Sequence, residues 1–170
     1  MPDIKSGMLK GLALSFVIII LDQLTKSYAA QELMLYQPYP VFPGFNFTLM
    51  HNTGAAFSFL SEAGSWQRIF FIILASAVSL FIVVWMYGLP ANKRFLFFAL
   101  AFVLGGALGN LWDRVTLGYV IDFIDVSLKF LPWRIFNPWP AFNIADSAIF
   151  IGAVMLIIDA IWFDDSKNDG

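Results

Sequence analysis

Two acidic side chains in this sequence interrupt stretches that are otherwise apolar. Asp146 begins a run that stays almost entirely apolar as far as Phe163. A charged side chain within a membrane-spanning segment costs at least ~2.5 kcal/mol unless it meets water or a partner, so its presence indicates a functional site. Asp122 lies in a second apolar run, 119–126. We interpret Asp122 and Asp146 as a candidate carboxylate pair.

Such a pair can hydrolyse a peptide bond without a covalent intermediate. Two carboxyl groups about 3 Å apart cannot both ionise, so they share one proton and their pKa values split around the ordinary ~3.9. The ionised member takes a proton from water, and the protonated member donates to the carbonyl oxygen. Asp125 lies on the opposite face of the same predicted strand, and spacing alone does not choose between Asp122 and Asp125.

Other chemistries have little support in the composition. The chain has no cysteine and a single histidine, His51, so it offers no thiol nucleophile, no thiolate metal site and no obvious serine–histidine pair. We predict neither a metal nor a cofactor. A net charge of -2, with ten Lys and Arg residues scattered along the chain, argues against nucleic acid as a partner.

The elements that must position the carboxylates are membrane helices. Of the 170 residues, 59% are hydrophobic and 13% charged, and four apolar segments are long enough to cross a bilayer. We predict an α-helical integral membrane protein formed by one membrane-embedded domain, 1–170, with spans at about 11–30, 66–87, 95–112 and 144–163.

The first apolar segment has an alternative interpretation. Lys5 and Lys10 before an apolar run are also typical of a cleaved secretory signal peptide. Against this, Asp22 and Lys26 stand four residues apart, so on a helix they share one face and form a structural ion pair.

Four spans place the loops 31–65 and 112–143 on the same side of the membrane. Basic residues lie mostly on the other side, which by the positive-inside rule puts both termini in the cytoplasm. In the first loop the alternation of 45–50 predicts a strand, 51–54 a turn with Gly54 at positive φ, and 55–60 a returning strand, while the prolines at 38, 40 and 43 predict turns. We therefore expect a small outer β-sheet, about 36–62, and an outer catalytic loop, about 113–143, whose segment 128–140 lies across the interface.

Polar residues from distant segments converge on this outer side. Gly105 and Gly109 form a small-xxx-small pair that allows close helix packing, and Asn143 precedes Asp146 by one helical turn. A stripe at four-residue spacing on the third helix consists of Gly106, Asn110 and Arg114.

Two non-peptidase interpretations account for part of this pattern. Intramembrane Asp and Lys residues also mark ion pathways, so a small transporter or proton relay is possible, although no inverted repeat of broken helices is present. A non-catalytic assembly protein would leave the convergence of the amides and carboxylates as coincidence.

Five blocks of the sequence resemble bacterial lipoprotein signal peptidase (signal peptidase II). They occur in the family's order and spacing over about four-fifths of the chain: Asp22-Gln-Leu-Thr-Lys26, Asn52-Thr-Gly-Ala-Ala-Phe57, Gly105-Gly-Ala-Leu-Gly-Asn-Leu-Trp-Asp-Arg114, Val120-Ile-Asp-Phe123 and Phe142-Asn-Ile-Ala-Asp146. The tails and the insert 128–139 lie outside the match.

The resemblance implies an aspartyl endopeptidase that cuts diacylglyceryl-modified prolipoproteins just before the lipidated cysteine. It implies the bacterial inner membrane as location, with the active site on the periplasmic face, an outer β-cradle, globomycin-type cyclic peptides as inhibitors, and a monomer in contact with membrane lipids. It makes Asp122 and Asp146 the catalytic dyad and Asp22 with Lys26 a structural pair. The positions that shape the substrate cleft are Asn52, Gly54, Asn110, Arg114 and Asn143.

Overall fold

The computed structural model describes residues 2–54, 66–127 and 140–162. These residues form four helices and three strands. In chain order they are α1 (Pro2–Glu32), β1 (Pro38–Phe42), β2 (Phe45–Asn52), α2 (Trp66–Gly88), α3 (Arg94–Thr116), β3 (Val120–Val126) and α4 (Ile144–Trp162). The predicted fold class, four membrane-spanning helices with a small β-sheet, is confirmed.

All four helices are long and apolar enough to cross a membrane, so the chain is a multi-pass membrane protein. Helices suit this environment because their backbone hydrogen bonds close internally. α3 is the central helix of the bundle, since it packs against α1, α2 and α4. In its most apolar stretch 56% of the residues are buried inside the protein, against 17–22% in the other three helices. Large apolar side chains such as Phe16, Phe81 and Phe150 face outward, as expected in lipid.

Glycines on α3 and α4 let the helices approach closely. A Cβ atom on Gly105 would lie 2.8 Å from Ile18 of α1, and one on Gly109 would lie 2.7 Å from the Asp22 carboxylate. A Cβ on Gly106 would overlap the carbonyl oxygen of Ala145 in α4. The small-residue pattern on α3 therefore brings α1 and α4 against one helix, as the sequence predicts.

The three strands form one antiparallel sheet in the order β1-β2-β3. β2 pairs with β3 so that Met50 faces Asp122 and Asn52 faces Val120. His51 and Asn52 thus belong to β2, and their assignment to a turn is wrong; the turn begins after them, with Gly54 at φ 93°.

Two predicted turn formers, Pro38 and Pro40, also belong to a strand. β1 is an edge strand, where a proline does not break a ladder on its free side. The predicted strand 55–60 and the segment 128–139 lie outside the described residues.

The sheet rests on the bundle and leads the chain into α4. An apolar cluster of Ala29 from α1, Leu49 from β2, and Ile121 and Phe123 from β3 joins the two parts. After β3, the backbone of Phe142 pairs with that of Ile124, with the Phe142 N–H 3.0 Å from the Ile124 oxygen. Only Asn143 separates this pairing from the first residue of α4, so the pairing sets the position of α4 against β3.

We expect Gly106→Ala to weaken the packing of α3 on α4. Its methyl group would meet the Ala145 backbone, which cannot turn aside, and overpacking of this kind costs about 1–3 kcal/mol. Thermal unfolding in detergent measures the effect. Gly88→Ala is the control, since a Cβ there meets no atom within 4 Å; equal melting temperatures for the two variants would contradict the prediction.

Candidate active site

Asp122 is a buried carboxylate on strand β3. Only 2% of its surface is exposed, and it lies on β3 opposite Met50. Its Oδ2 accepts a hydrogen bond of 2.9 Å from Nδ2 of Asn52, and its Oδ1 accepts one of 2.8 Å from Nδ2 of Asn143. Two amide donors, one at the end of β2 and one just before α4, therefore hold this side chain.

Asp146 lies in the first turn of α4 and takes part in the helix N-cap. The Asn143 side chain accepts from the Asp146 N–H at 2.8 Å, while the Asp146 carboxylate accepts from the Asn143 N–H at 3.2 Å. This reciprocal arrangement has the form of a capping box. A second donor to the carboxylate, Nδ2 of Asn110 on α3, lies 2.7 Å from Oδ1 of Asp146.

Asn143 joins the two carboxyl groups. It is fully buried; its side chain donates to Asp122 and its backbone N–H donates to Asp146. Nδ2 of Asn143 also lies 3.1 Å from Oδ1 of Asn110 and 3.2 Å from the Ile121 oxygen. The structure thus brings Asp122 and Asp146 to the two sides of a single asparagine.

Burial raises the pKa of Asp122 to about 7, with the negative charge of Asp146 as the second cause. The hydrogen bonds from Asn52 and Asn143 act in the opposite direction because they favour the ionised form. This carboxyl group therefore keeps its proton to a higher pH than an ordinary aspartate does.

Asp125 does not reach Asp146. It lies on the other face of β3, where Oδ2 accepts from Thr48 Oγ1 at 2.8 Å and from Asn46 Nδ2 at 3.2 Å. The alternation of a strand separates the two aspartates, and the packing of β3 selects Asp122 as the partner.

A buried ion cluster is connected to the carboxylate of Asp146 through Asn110. The ammonium group of Lys26 is 2.8 Å from Asp22 and 2.9 Å from Asp113, and it donates to Oδ1 of Asn110 at 2.9 Å. All three charged side chains are at most 2% exposed. Because Lys26 holds the amide oxygen of Asn110, the amide nitrogen of Asn110 faces Asp146.

The same cluster supports the backbone beside each carboxylate. Asp113 accepts from the N–H of Ile121 at 3.1 Å, and Asp22 accepts from the N–H of Ala145 at 2.9 Å. These two residues immediately precede Asp122 and Asp146. One cation thereby links α1, α3, β3 and α4 at the points where the site residues leave their elements.

Asp113 is a site residue that the sequence pattern does not reveal. Residue spacing pairs Lys26 only with Asp22, whereas the structure shows a cluster with two carboxylates. The signal available was that Asp113 ends an apolar helix and needs a partner in the membrane. Gln23 is another such residue: its Nε2 lies 2.8 Å from Oδ1 of Asp113.

Gly54 and Arg114 lie at the edge of the site, and both are close to the ring of Phe71. The Gly54 N–H donates to Oδ1 of Asn52 at 2.8 Å, and a Cβ atom on Gly54 would lie 2.5 Å from the Phe71 ring. The Arg114 guanidinium stands 5.0 Å from the centroid of that ring and interacts electrostatically with Asp146 and Asp122. Phe71 thus packs the turn after β2 against the end of α3.

His51 stacks on Tyr119 at 3.9 Å between ring centroids, which is a packing contact between β2 and the start of β3. Within the described ranges, no group of three or more His, Asp and Glu side chains is arranged to hold a metal ion.

A cavity of about 410 Å³ opens beside Asp146 on the outward face of α4. Among the described residues, its lining apart from Asp146 and Ser147 is apolar: Phe142, Phe150 and Ile151. Asp146 is partly exposed here, whereas Asp122 is covered. The carboxylate on α4 is therefore reached from the lipid-facing side of the bundle.

Comparison with known proteins gives consistent matches over most of the chain. The family described as signal peptidase (SPase) II matches residues 14–162. A lipoprotein signal peptidase of Teredinibacter turnerae is 51% identical over 154 residues, 91% of this chain and 88% of the relative. One from Pseudomonas aeruginosa is 48% identical over 163 residues, 94% and 92% of the two chains. A bacterial membrane enzyme solved at 1.9 Å superposes with a TM-score of 0.77 at 32% identity, covering 92% of this chain and 94% of that one.

We expect Lys26→Met to destabilise the protein by about 3–5 kcal/mol, because it leaves Asp22 and Asp113 buried without a cation. The triple variant Asp22→Asn/Lys26→Met/Asp113→Asn should recover most of that loss. Its asparagine oxygens still accept from Ala145 and Ile121, and no charge is left unpaired. Thermal unfolding in detergent measures both; a triple variant no more stable than Lys26→Met would show that charge is not the cause.

Proposed function

Because the chain belongs to the lipoprotein signal peptidase (signal peptidase II) family, aspartic peptidases that remove signal peptides from prolipoproteins, we propose that Asp122 and Asp146 are its catalytic pair. The observation that carries this proposal is the position of Asn143. It donates to both carboxyl groups, at 2.8 Å and 3.2 Å, and so sets them around one small space. Since the family is one of hydrolases, the transporter and scaffold alternatives are set aside.

The different surroundings of the two aspartates assign their roles. Asp122 is covered and its pKa is raised to about 7 by burial and by the charge of Asp146, so it is the proton donor. Asp146 is reached from the cavity, and its carboxylate accepts hydrogen bonds from Nδ2 of Asn110 and from the N–H of Asn143. It also lies at the start of α4, where a negative charge is favoured. Asp146 is therefore the base.

Peptide hydrolysis then proceeds in two steps. Asp146 takes a proton from a water molecule as the water oxygen bonds to the peptide carbonyl carbon, and Asp122 gives its proton to the carbonyl oxygen. The resulting gem-diol returns one hydroxyl proton to Asp122 while Asp146 passes its proton to the peptide nitrogen. The carbon–nitrogen bond breaks, and a carboxylic acid and an amine leave.

The other site residues support this chemistry in three ways: by positioning the carboxyl groups, by supplying positive charge and by holding the backbone. Asn52 and Asn143 hold Asp122, Asn110 orients Asp146, and Gly54 keeps the turn after β2 close to Phe71. Arg114 supplies a positive charge near both carboxyl groups, which would stabilise negative charge that develops on the substrate. Asp22 and Lys26, with Asp113, support the backbone.

The proposed substrate is a diacylglyceryl-modified prolipoprotein cut immediately before its lipidated cysteine. Such a substrate is already held in the plane of the membrane by its lipid and its apolar signal helix. The apolar cavity beside Asp146, opening toward lipid, suits an approach of this kind. Globomycin-type cyclic peptides would bind across the same pair, and the protein would act as a monomer.

We place the protein in the bacterial inner membrane with both termini in the cytoplasm and the active site on the periplasmic face. Lys10 and Arg94 lie at the end of the bundle away from Asp146, and basic residues favour the cytoplasmic side. Asp122 and Asp146 then stand at the outer membrane surface, level with the cleavage point of an anchored substrate.

We predict that Asp122→Asn and Asp146→Asn each lower processing by at least about 100-fold, the usual contribution of a positioned acid or base. Detergent-solubilised protein is incubated with a diacylglyceryl-modified prolipoprotein, and the product is scored by gel shift. Asp125→Asn is the matched control, since Asp125 lies on the same strand and bonds only to Thr48 and Asn46 among the contacts described. Turnover near that of the wild type by Asp122→Asn or Asp146→Asn would remove that residue from the mechanism.

The pH dependence follows from the need for a protonated Asp122. Its pKa is about 7, so kcat/KM should fall about tenfold per pH unit on the alkaline side of that value.

Asn52→Ala removes a donor that favours the ionised form, so it should move this decline to higher pH whatever its effect on the maximum rate. Asn46→Ala, which acts on Asp125, should leave the decline in place. A decline that stays unmoved in Asn52→Ala would mean that another group donates the proton.

A further inference from the structure

A second cavity lies at the opposite end of the bundle from the carboxylates. Its volume is about 490 Å³, and it is formed by the start of α1, the linker between α2 and α3, and the first turns of α3. Its polar side chains are those of Ser6, Lys10, Asn92 and Arg94, and Phe97 and Phe98 add aromatic surface. The catalytic proposal uses none of them.

The cavity collects positive charge. Lys10 comes from α1 and Arg94 from α3; both are exposed, and among the described residues that line the cavity none is acidic. Neither cation forms an ion pair with another described residue. This contrasts with Lys26, whose charge is matched by two carboxylates.

The aromatic residues give the cavity an apolar side next to lipid. The Phe97 ring packs on the backbone of α1, since a Cβ atom on Gly7 would lie 3.0 Å from it, and Phe97 is almost fully buried. Phe98 is 41% exposed on a membrane-spanning helix. A molecule in this cavity would meet cations at the membrane surface and aromatic rings below them.

We propose that this cavity binds the phosphodiester headgroup of an anionic phospholipid in the leaflet that faces away from the active site. Lys10 and Arg94 would pair with the phosphate oxygens, Ser6 and Asn92 would hydrogen-bond to the phosphate or glycerol oxygens, and Phe98 would contact the acyl chains. Basic pockets between membrane helices bind anionic headgroups in this way. A volume of about 490 Å³ lies within the usual range for small-molecule sites.

Basic residues that serve only to orient the protein in the membrane would not need to line a cavity. Here two cations from different helices converge on one, and the linker between α2 and α3 supplies a polar side chain to the same place. A specific site predicts discrimination between headgroups of different charge carrying the same acyl chains.

The test uses the full-length chain, purified in detergent and freed of lipid, with lipid binding measured by native mass spectrometry. Phosphatidylglycerol and phosphatidylcholine with identical acyl chains are titrated in parallel. We expect preferential retention of phosphatidylglycerol, and a loss of its affinity of roughly 25-fold in the double variant Lys10→Gln/Arg94→Gln, since each cation near the surface contributes about fivefold.

The double variant Lys10→Arg/Arg94→Lys is the matched control, because it keeps both charges and should keep the preference. Equal binding of the two lipids, or unchanged phosphatidylglycerol binding by the glutamine variant, would overturn the proposal. Glycerol 3-phosphate is titrated as the soluble source of the same phosphate; if it binds as tightly as the lipid, the site is not a lipid site. Both glutamine substitutions are at exposed positions outside the catalytic machinery, so peptidase activity should be unchanged.

Discussion

A single buried ammonium group organises the polar interior of this membrane protein. Lys26 uses its three N–H groups on Asp22, Asp113 and Asn110, and these belong to two different helices. In a bundle surrounded by lipid, an unpaired charge would be costly, so the cluster is stable only when every member is in place. Its geometry therefore constrains how α1 and α3 meet.

Two hydrogen bonds connect this cluster to the backbone beside the proposed catalytic residues. Asp113 holds the N–H before Asp122, and Asp22 holds the N–H before Asp146. Asn110 adds a direct contact, since its oxygen faces Lys26 and its nitrogen faces Asp146. Two carboxyl groups that repel each other when ionised are thus kept close by backbone anchors that neither of them supplies. Fixed dipoles and charges of this kind need no rearrangement during the reaction.

The asymmetry of the pair comes from where each side chain meets the outside. Asp122 is buried on β3 and held by two amides, whereas Asp146 borders an apolar cavity that opens toward lipid. Peptide hydrolysis needs one acid and one base, and in the proposed mechanism unequal burial lets two residues of the same type take these two roles. At the far end of the bundle Lys10 and Arg94 lie exposed around a second cavity, so the two ends of the bundle carry different side-chain chemistry.

The sequence by itself determined the class of fold and the candidate chemistry. Four apolar segments, the glycines of α3 and the stripe through Asn110 are local patterns whose periodicity is visible along the chain, and the five motif blocks identified the family. What it left open were contacts between distant segments. Four features depend on strand register and helix packing. They are the position of Asp122 rather than Asp125 as the partner of Asp146, the second carboxylate on Lys26, the edge strand at Pro38 and the place of Asn52 in β2. A strand shifted by one residue presents its other face, and a charge in the membrane takes whichever partner the packed helices bring to it, so only the tertiary structure decides them.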